Sequence, residues 1–592
     1  MPAAELEDTM LTLHEFDEQL LYHAITSCGP IPTLDDPDSI YPYESYCETA
    51  QRPFIRNIRM VSMENDHIRV VICPDLGGKV YSLFHKKSNK EILYQPGSLR
   101  AARILPRMAF ISGGIEVSFP VSHTPVLTEK VHYKFQSSND RLYVWCGERE
   151  LHYGMQWTVE YSLGKDDHYL TQRTLFFNPT KNVHPWMSWS NAALEAREDT
   201  KLQFPSGEVL CHDNHIHLID WEERGPKTIS ELNRMTGYFW NDYSSNTFGV
   251  YTPSLGIGLY HMADPAEMPG VKLWAYGIGK DECWAHVSGL QNKSYVEIQA
   301  GPIKDQSIKK MLAPGETHNH TEYWIPSDME LNISSLDRPN PTLPPVELIP
   351  LFDWPERAST SPWLQLIQSY QRKEKQKLPP PPYWFNNYWP PSGMESLKEP
   401  LVWAISVTYG EASALWTYYL ALWQAARGMT EESLSLLKNL QLDSARLLEA
   451  RLLRCRYKQH DLAYDALKKI TSISIQRHPQ VIIERDLCLS TMSPSPLQER
   501  KYWLDQVDAL EDHQLVERRI ELYIQMGDYN QAAQLLSSTP FQLVHQRYER
   551  TAMWNDMRKR LGLPPLAPPP SLGEDDLALF GAYRITEQRL GD

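Results

Sequence analysis

The sequence predicts two parts in series: a large antiparallel β-sandwich, then a repeat of helices. Three observations carry this. Short runs that alternate apolar and polar residues crowd residues 51 to 335, as strands with one buried face require. Prolines gather between 336 and 400, in "DRPNPTLPPVELIP" and "KLPPPPYWFNNYWPPSG". Beyond 401 the apolar spacing lengthens to that of helices.

Residues 1 to 50 form a leader, in which the spacing from Leu11 to Ile25 predicts a helix followed by a Pro/Asp loop. The strands of residues 51 to 335 are "IRVVICP", "RLYVWCG", "WTVEYSL", "YLTQRTLFF", "TFGVYTP", "GIGLYHM" and "SYVEIQAG". Turn signals separate them, such as Ser138-Asn139-Asp140; many strands at short spacing predict a sandwich. Residues 336 to 400 form a connector, because proline removes donors and holds extended backbone. Its Trp384, Phe385, Tyr388 and Trp389 predict that it is strapped onto a domain surface. In residues 401 to 592 the helix corners fall near Gly428, His460 and Gly527, 32 and 67 residues apart. Those gaps approach one and two periods of the roughly 34-residue tetratricopeptide (TPR) repeat. "MGDYNQAAQLL" resembles the start of that repeat's second helix. The expectation is a TPR-like solenoid; the other reading is a helical bundle that braces the β part.

Bulk numbers exclude several classes. A net charge of -16 repels phosphate backbones, so nucleic acid is not an expected partner. No apolar run reaches the roughly 18 residues a membrane helix needs. The acidic N-terminus lacks the basic region of a secretory signal. Eight cysteines lie apart with no CxxC pair, which predicts reduced thiols in a cytoplasmic protein. The 18 Trp and 31 Tyr supply rings for a core or for stacking on sugars.

Four stretches could carry chemistry. "GGIEVSFP" (113 to 120) places Glu116 and Ser118 on one face of a strand entered through two glycines; alone, a glutamate there is more often simply solvated. "SYVEIQAG" places Tyr295, Glu297 and Gln299 in one row opposite Val296, Ile298 and Ala300. A sugar site needs that mixture of acid, amide and ring. "HPWMSWSNAAL" sets Trp189 and Asn191 on one face and Trp186 on the other, where aromatic core packing is the competing reading. "CHDNHIHLIDW" holds His215 and His217 near Asp213. Without a clear third and fourth ligand that pair predicts no metal. There is no phosphate loop, nucleophile elbow or zinc-protease motif, and no cofactor is expected.

Six stretches in this order resemble a bacterial family of domains of unknown function related to aldose 1-epimerases (galactose mutarotases) and often fused to TPR repeats. They are "CPDLGGKVYSLFHKKSNKEILY", "SGGIEVSFPVSHTP", "WMSWSNAAL", "MPGVKLWAYG", "YVEIQAGPIKDQS" and "EYWIPS". The resemblance implies a galactose mutarotase-like β-supersandwich with a saccharide on the concave face of one sheet. It also implies that Glu297 and Glu116 are the acids. The chain departs from the family pattern at Val117 and Ser118, where a Trp-Asn pair is usual; that bears on substrate identity rather than fold.

The resulting expectation is a glycoside hydrolase that acts on oligosaccharides with Glu116 and Glu297 as its two carboxylates. Trp189, Trp274 and Tyr295 would stack on sugar rings. Asn191, Lys272 and Gln299 would bind hydroxyls, and His123 and His184 are secondary candidates for moving a proton. One rival is a mutarotase in which Glu297 works with His123 or His184. The other is a non-catalytic sugar-binding scaffold whose helical repeats hold a protein partner or a second copy.

Overall fold

A computed structural model of the chain describes residues 11–27, 41–43, 46–50, 52–105, 108–121, 123–124, 126–212, 216–243, 245, 247–278, 293–304, 309–357, 360–383, 389–507, 513–538 and 553–564. Eleven strands run along one sheet: β1 (Thr12–Tyr22), β2 (Phe54–Glu64), β3 (Ile68–Cys73), β4 (Lys79–His85), β5 (Ile115–Val117), β6 (Ser190–Glu195), β7 (Gly207–His212), β8 (Ile216–Asp220), β9 (Thr236–Tyr243), β10 (Gly270–Tyr276) and β11 (Tyr295–Gly301). Their order is β1-β2-β3-β4-β5-β6-β11-β10-β9-β7-β8, with Lys90–Glu91 added beside β4. Every pairing along it is antiparallel.

The helix expected over Leu11 to Ile25 is instead strand β1, paired with β2 from Thr12↔Glu64 to Tyr22↔Phe54. Phe16, Leu20 and Tyr22 also sit on alternate positions. Cross-strand pairing therefore settles a pattern that suits either element.

Eight further strands form the second sheet, in the order His132–Ser137, Arg141–Arg149, Gln156–Gly164, Leu170–Phe177, Thr317–Ser327, Ile257–Ala263, Phe248–Thr252 and Lys201–Gln203. Each of the seven quoted sequence runs falls in a strand of one sheet or the other. The core lies between the sheets: Val70, Leu83, Ala192, Val271, Val296 and Ile298 from the first meet Val144, Val159 and Phe176 from the second. Period two then turns Asn191, Lys272, Trp274, Glu297 and Gln299 to the outer face of the first sheet.

The proline-rich segment lies across the second sheet. Prolines keep their carbonyls, and the sheet's side chains use them: Thr158 Oγ1 donates to Pro350 O (2.7 Å) and Arg173 Nη1 to Pro344 O (2.6 Å). Arg357 reaches Glu148 at 3.0 Å and Glu129 at 2.8 Å. Trp389 is buried; Trp384, Phe385 and Tyr388 lie outside the described residues. The segment is not extended throughout, because Ser361–Arg372 is an α-helix (α1). Trp363 and Leu366, three residues apart, are buried on one side of it, and Trp363 packs 5.0 Å from the Tyr419 ring.

The remainder is helical: α2 (Lys398–Val407), α3 (Gly410–Ala426), α4 (Thr430–Leu437), α5 (Asp443–Cys455), α6 (His460–Lys468), α7 (Pro479–Thr491), α8 (Leu497–Leu504), α9 (His513–Met526) and α10 (Tyr529–Ser538). Of the three expected corners, Gly428 and Gly527 fall between helices and His460 opens α6. Gly428 and Gly527 adopt φ of 77°, which a glycine reaches without strain. Helix α7 carries buried acids that tie its neighbours: Glu484 to Arg451 and Arg454, and Asp486 to Arg500 and Arg518. Among the described residues no helix is long and apolar enough to cross a membrane.

Candidate active site

Strand register brings the candidate residues together. Glu116 pairs with Asn191, Asn191 with Gln299, Gln299 with Lys272, and Lys272 with Phe239. These five form one row across β5, β6, β11, β10 and β9. Two residues along, Ala193, Glu297, Trp274 and Gly237 form the next row. Glu116 and Glu297 are 181 residues apart in sequence, yet share one face. Glu116, Asn191, Glu297 and Gln299 are each 4% exposed and Lys272 1%, so their charges act in a poorly screened medium.

The two carboxyls have different surroundings. Glu116 Oε1 accepts from Asn191 Nδ2 (2.9 Å) and contacts His123 Nδ1. His123 is buried and stacks 4.9 Å from the Phe110 ring. Burial acts to raise the Glu116 pKa, but the His123 charge, its hydrogen bond and Lys79 outweigh it, and the net direction is down. Burial acts to lower His123, and Glu116 reverses that, so the imidazole is raised. Glu297 Oε2 accepts from Gln299 Nε2 (2.9 Å) and Tyr276 OH (3.2 Å). Burial, then the neighbouring Glu116 charge, push it up to about 7. Two carboxyls on one face thus differ in proton affinity, the arrangement that divides acid from base.

The rings lie on glycines. A Cβ on Gly237 would come within 2.4 Å of the Trp274 ring, and one on Gly270 or Gly301 within 2.5 or 2.8 Å of Trp189. Lys272 Nζ stands 3.1 Å from the Trp189 ring centroid. We expect Gly237→Ala to displace Trp274 and cost about 1–3 kcal/mol by overpacking, read as a lowered urea midpoint with an unchanged slope. Gly114, at φ 75°, is needed twice: a Cβ there would lie 2.3 Å from Val80 O and 2.7 Å from Lys79 Cε.

Not every expected residue joins the rows in the expected role. Tyr295 is wholly buried, with Tyr94 at 4.7 Å and Tyr276 at 4.8 Å on its faces, so it has no face left for a sugar. Trp189 and Trp274 are buried at 0% and 3%. His184 stands elsewhere, on a two-stranded ribbon (His184–Trp186 with Lys310–Leu312), bonded to Thr180 at 2.9 Å and set against Tyr153. Trp186 is in the core beside Phe176. Asp213 and His215 lie outside the described residues.

Sequence reading missed Lys79 and Tyr276. Lys79 is buried, donates to Ile111 O (2.7 Å) and has its pKa lowered by burial against the pull of Glu116. Tyr276 continues the alternation Lys272, Trp274, Tyr276, a signal present in "KLWAY". Two buried polar atoms, Asn191 Oδ1 and Trp189 Nε1, have no hydrogen-bond partner among the described residues. In a site, such atoms are places for a ligand or an ordered water.

Comparison with known proteins supplies the relatives. A family model described as "Domain of unknown function (DUF5107)" matches residues 35–327. A second, described as a C-terminal domain, matches residues 363–557. Much weaker likenesses include the crystal structures of a putative mutarotase from Salmonella typhimurium and a galactose mutarotase-like protein from Clostridium acetobutylicum. The first has 7% identity, 46% of this chain and 90% of that chain covered and a TM-score of 0.36. The second has 13% identity, 46% and 96% covered and a TM-score of 0.34. The crystal structure of a TPR-domain containing protein from Parabacteroides distasonis is 47% identical, with 96% of this chain and 98% of that chain covered and a TM-score of 0.91. The chain belongs to the same family as that Parabacteroides distasonis protein, with residues 35–327 of its strand-rich part matching the DUF5107 model.

Proposed function

We propose that the chain is a carbohydrate-active enzyme, a glycoside hydrolase acting on oligosaccharides, built on a mutarotase-like supersandwich with a TPR-like solenoid behind it. The observation that carries this is two buried carboxyls on one face with different partners: Glu116 against His123 and Asn191, which hold its pKa down, and Glu297 on Gln299 and Tyr276, pushed up to about 7 by burial and by the Glu116 charge. Glu297, holding its proton, donates it to the glycosidic oxygen. Glu116, ionised and oriented by Asn191 and His123, takes a proton from water as that water attacks the anomeric carbon. The two residues stand two strands apart and two positions out of line, which puts their Cα atoms about 12 Å apart. With Glu116 acting on water rather than on the anomeric carbon itself, the proposed route is an inverting one. Asn191 Oδ1 and Gln299 would read hydroxyls.

The Glu116–His123 contact favours a second reading, mutarotation, in which His123 is the acid and Glu297 the base on a free aldose. One experiment separates the two. Purified protein is given a panel of glycosides, with released sugar followed by proton NMR, and in parallel freshly dissolved aldoses, with optical rotation followed. Release of sugar in the inverted anomeric form supports hydrolysis. Accelerated rotation change with no release from any glycoside would replace that proposal with mutarotation.

A further inference from the structure

The row that begins at Glu116 does not end at Lys272. It runs on through Phe239 to Leu210 of β7 and Leu218 of β8, paired Phe239↔Leu210 and Leu210↔Leu218. Exposure rises along it. Glu116, Asn191, Gln299 and Lys272 are buried, Phe239 and Leu210 are half-buried, and Leu218 is 51% exposed. On the opposite face Val209, Cys211 and Ile219 are packed in the core. The leucines therefore occupy outer positions of a sheet, where polar residues are the norm. Apolar side chains contiguous on an outer face mark a contact surface. The Phe239 ring is held in place by His212 stacked at 4.3 Å and by the Trp274 ring edge at 5.6 Å.

We infer that this open end receives an apolar aglycone, aryl or alkyl, of a glycoside whose sugar lies over the Glu116 row. The inference rests on the carbohydrate reading of that row and names the substrate class. Continuity is the argument for the occupant. A ligand anchored between Glu116 and Lys272 and extending along the row meets only carbon surface at Phe239, Leu210 and Leu218. None of these three can bind a sugar hydroxyl, and the nearest exposed polar pair on that face, Asn241 and Glu208, is bonded to itself at 2.8 Å; a second pyranose over the leucines would lose water from its hydroxyls without replacement in the row, whereas an aryl ring gains by leaving water.

The test measures binding to the intact chain carrying Glu297→Gln, by calorimetry, with methyl and phenyl thioglycosides of a series of aldoses. For the sugar that binds, the phenyl compound should bind about tenfold more tightly than the methyl compound. Leu218→Ser, at an exposed position outside the row of polar residues, should remove most of that preference and leave methyl-compound affinity unchanged. Equal affinity for methyl and phenyl compounds overturns the inference while leaving the sugar site standing. So does a Leu218→Ser protein that keeps the preference but changes its sedimentation coefficient, which would assign the leucines to a subunit contact. Failure of every thioglycoside and every free aldose to bind overturns the carbohydrate reading itself.

Discussion

With Glu297 as the proton donor of the proposed hydrolysis, Glu297→Gln is expected to lower glycoside turnover by about a thousandfold, the usual effect of removing a positioned proton donor. The same change should stabilise the protein. Glu297 is 4% exposed and raised to about 7 by burial and by the Glu116 charge. The ordinary glutamate value lies near 4.5. Between these values the folded state holds a proton that the unfolded chain releases. Folding stability from this group is therefore fully present below about 4.5 and is lost as pH rises through about 7. A glutamine needs no proton, so at pH 8 the variant should gain on the order of 3 kcal/mol relative to wild type, and almost nothing at pH 4.5. Urea melts at the two pH values check this. Loss of rate with gain of stability is what a carboxyl held against its solvation preference for catalysis produces. A structural carboxyl would lose both.

The sign of the pH–rate profile also discriminates between reactions. As a proton donor to a leaving oxygen, Glu297 must be protonated, so the rate falls as pH rises through about 7. As a base in mutarotation it must be ionised, and the rate climbs through the same range. Because Glu116 and Glu297 feel one another, the measured limbs belong to the pair.

The faces on which the candidate residues lie are legible in the sequence. Period two in "SYVEIQAG" places Glu297 beside Gln299, and period two in "WMSWSNAAL" places Asn191 two residues from Trp189; both hold in the sheet. Register between distant strands is another matter. Nothing local says that Glu116 stands opposite Asn191 or that Lys272 stands opposite Gln299, because strand order follows from the whole sandwich. The same gap explains the histidines. His123 and His184 look equivalent in sequence, yet one lies on Glu116 and the other on a separate ribbon against Tyr153. Tyr295 shows a further limit. Its face is as the alternation predicts, but tyrosines from a loop and from β10 occupy both sides of its ring. Lys79 announces itself by no pattern, since a lysine after two glycines reads as a turn, and only burial reveals its charge.

The second large effect concerns how the connector holds the β part. Glu148 has no exposed side-chain surface, and its two oxygens accept from Arg357 at 3.0 and 3.2 Å. Burial raises the Glu148 pKa even with the guanidinium beside it. The same Arg357 reaches Glu129 at 2.8 Å. Arg357→Ala would leave Glu148 as a buried charge without its partner, or make it take up a proton with loss of the bidentate bond. Either outcome costs about 3–5 kcal/mol, the range for breaking a buried pair from one side. The cost should shrink as pH falls, because a protonated Glu148 no longer needs the cation. Adding Glu148→Gln should recover a large part of the loss, since an amide is neutral and can still donate or accept in place. A denaturation cycle over the two single variants and the double variant measures this. If Arg357→Ala alone costs less than about 1 kcal/mol, the pair behaves like an exposed ion pair, and the strap is held by its proline carbonyls and by Trp363 instead. The cycle thus separates two ways of fastening a donor-poor segment to a sheet: one ion pair that must stay intact, or many weak carbonyl contacts that tolerate loss of any one.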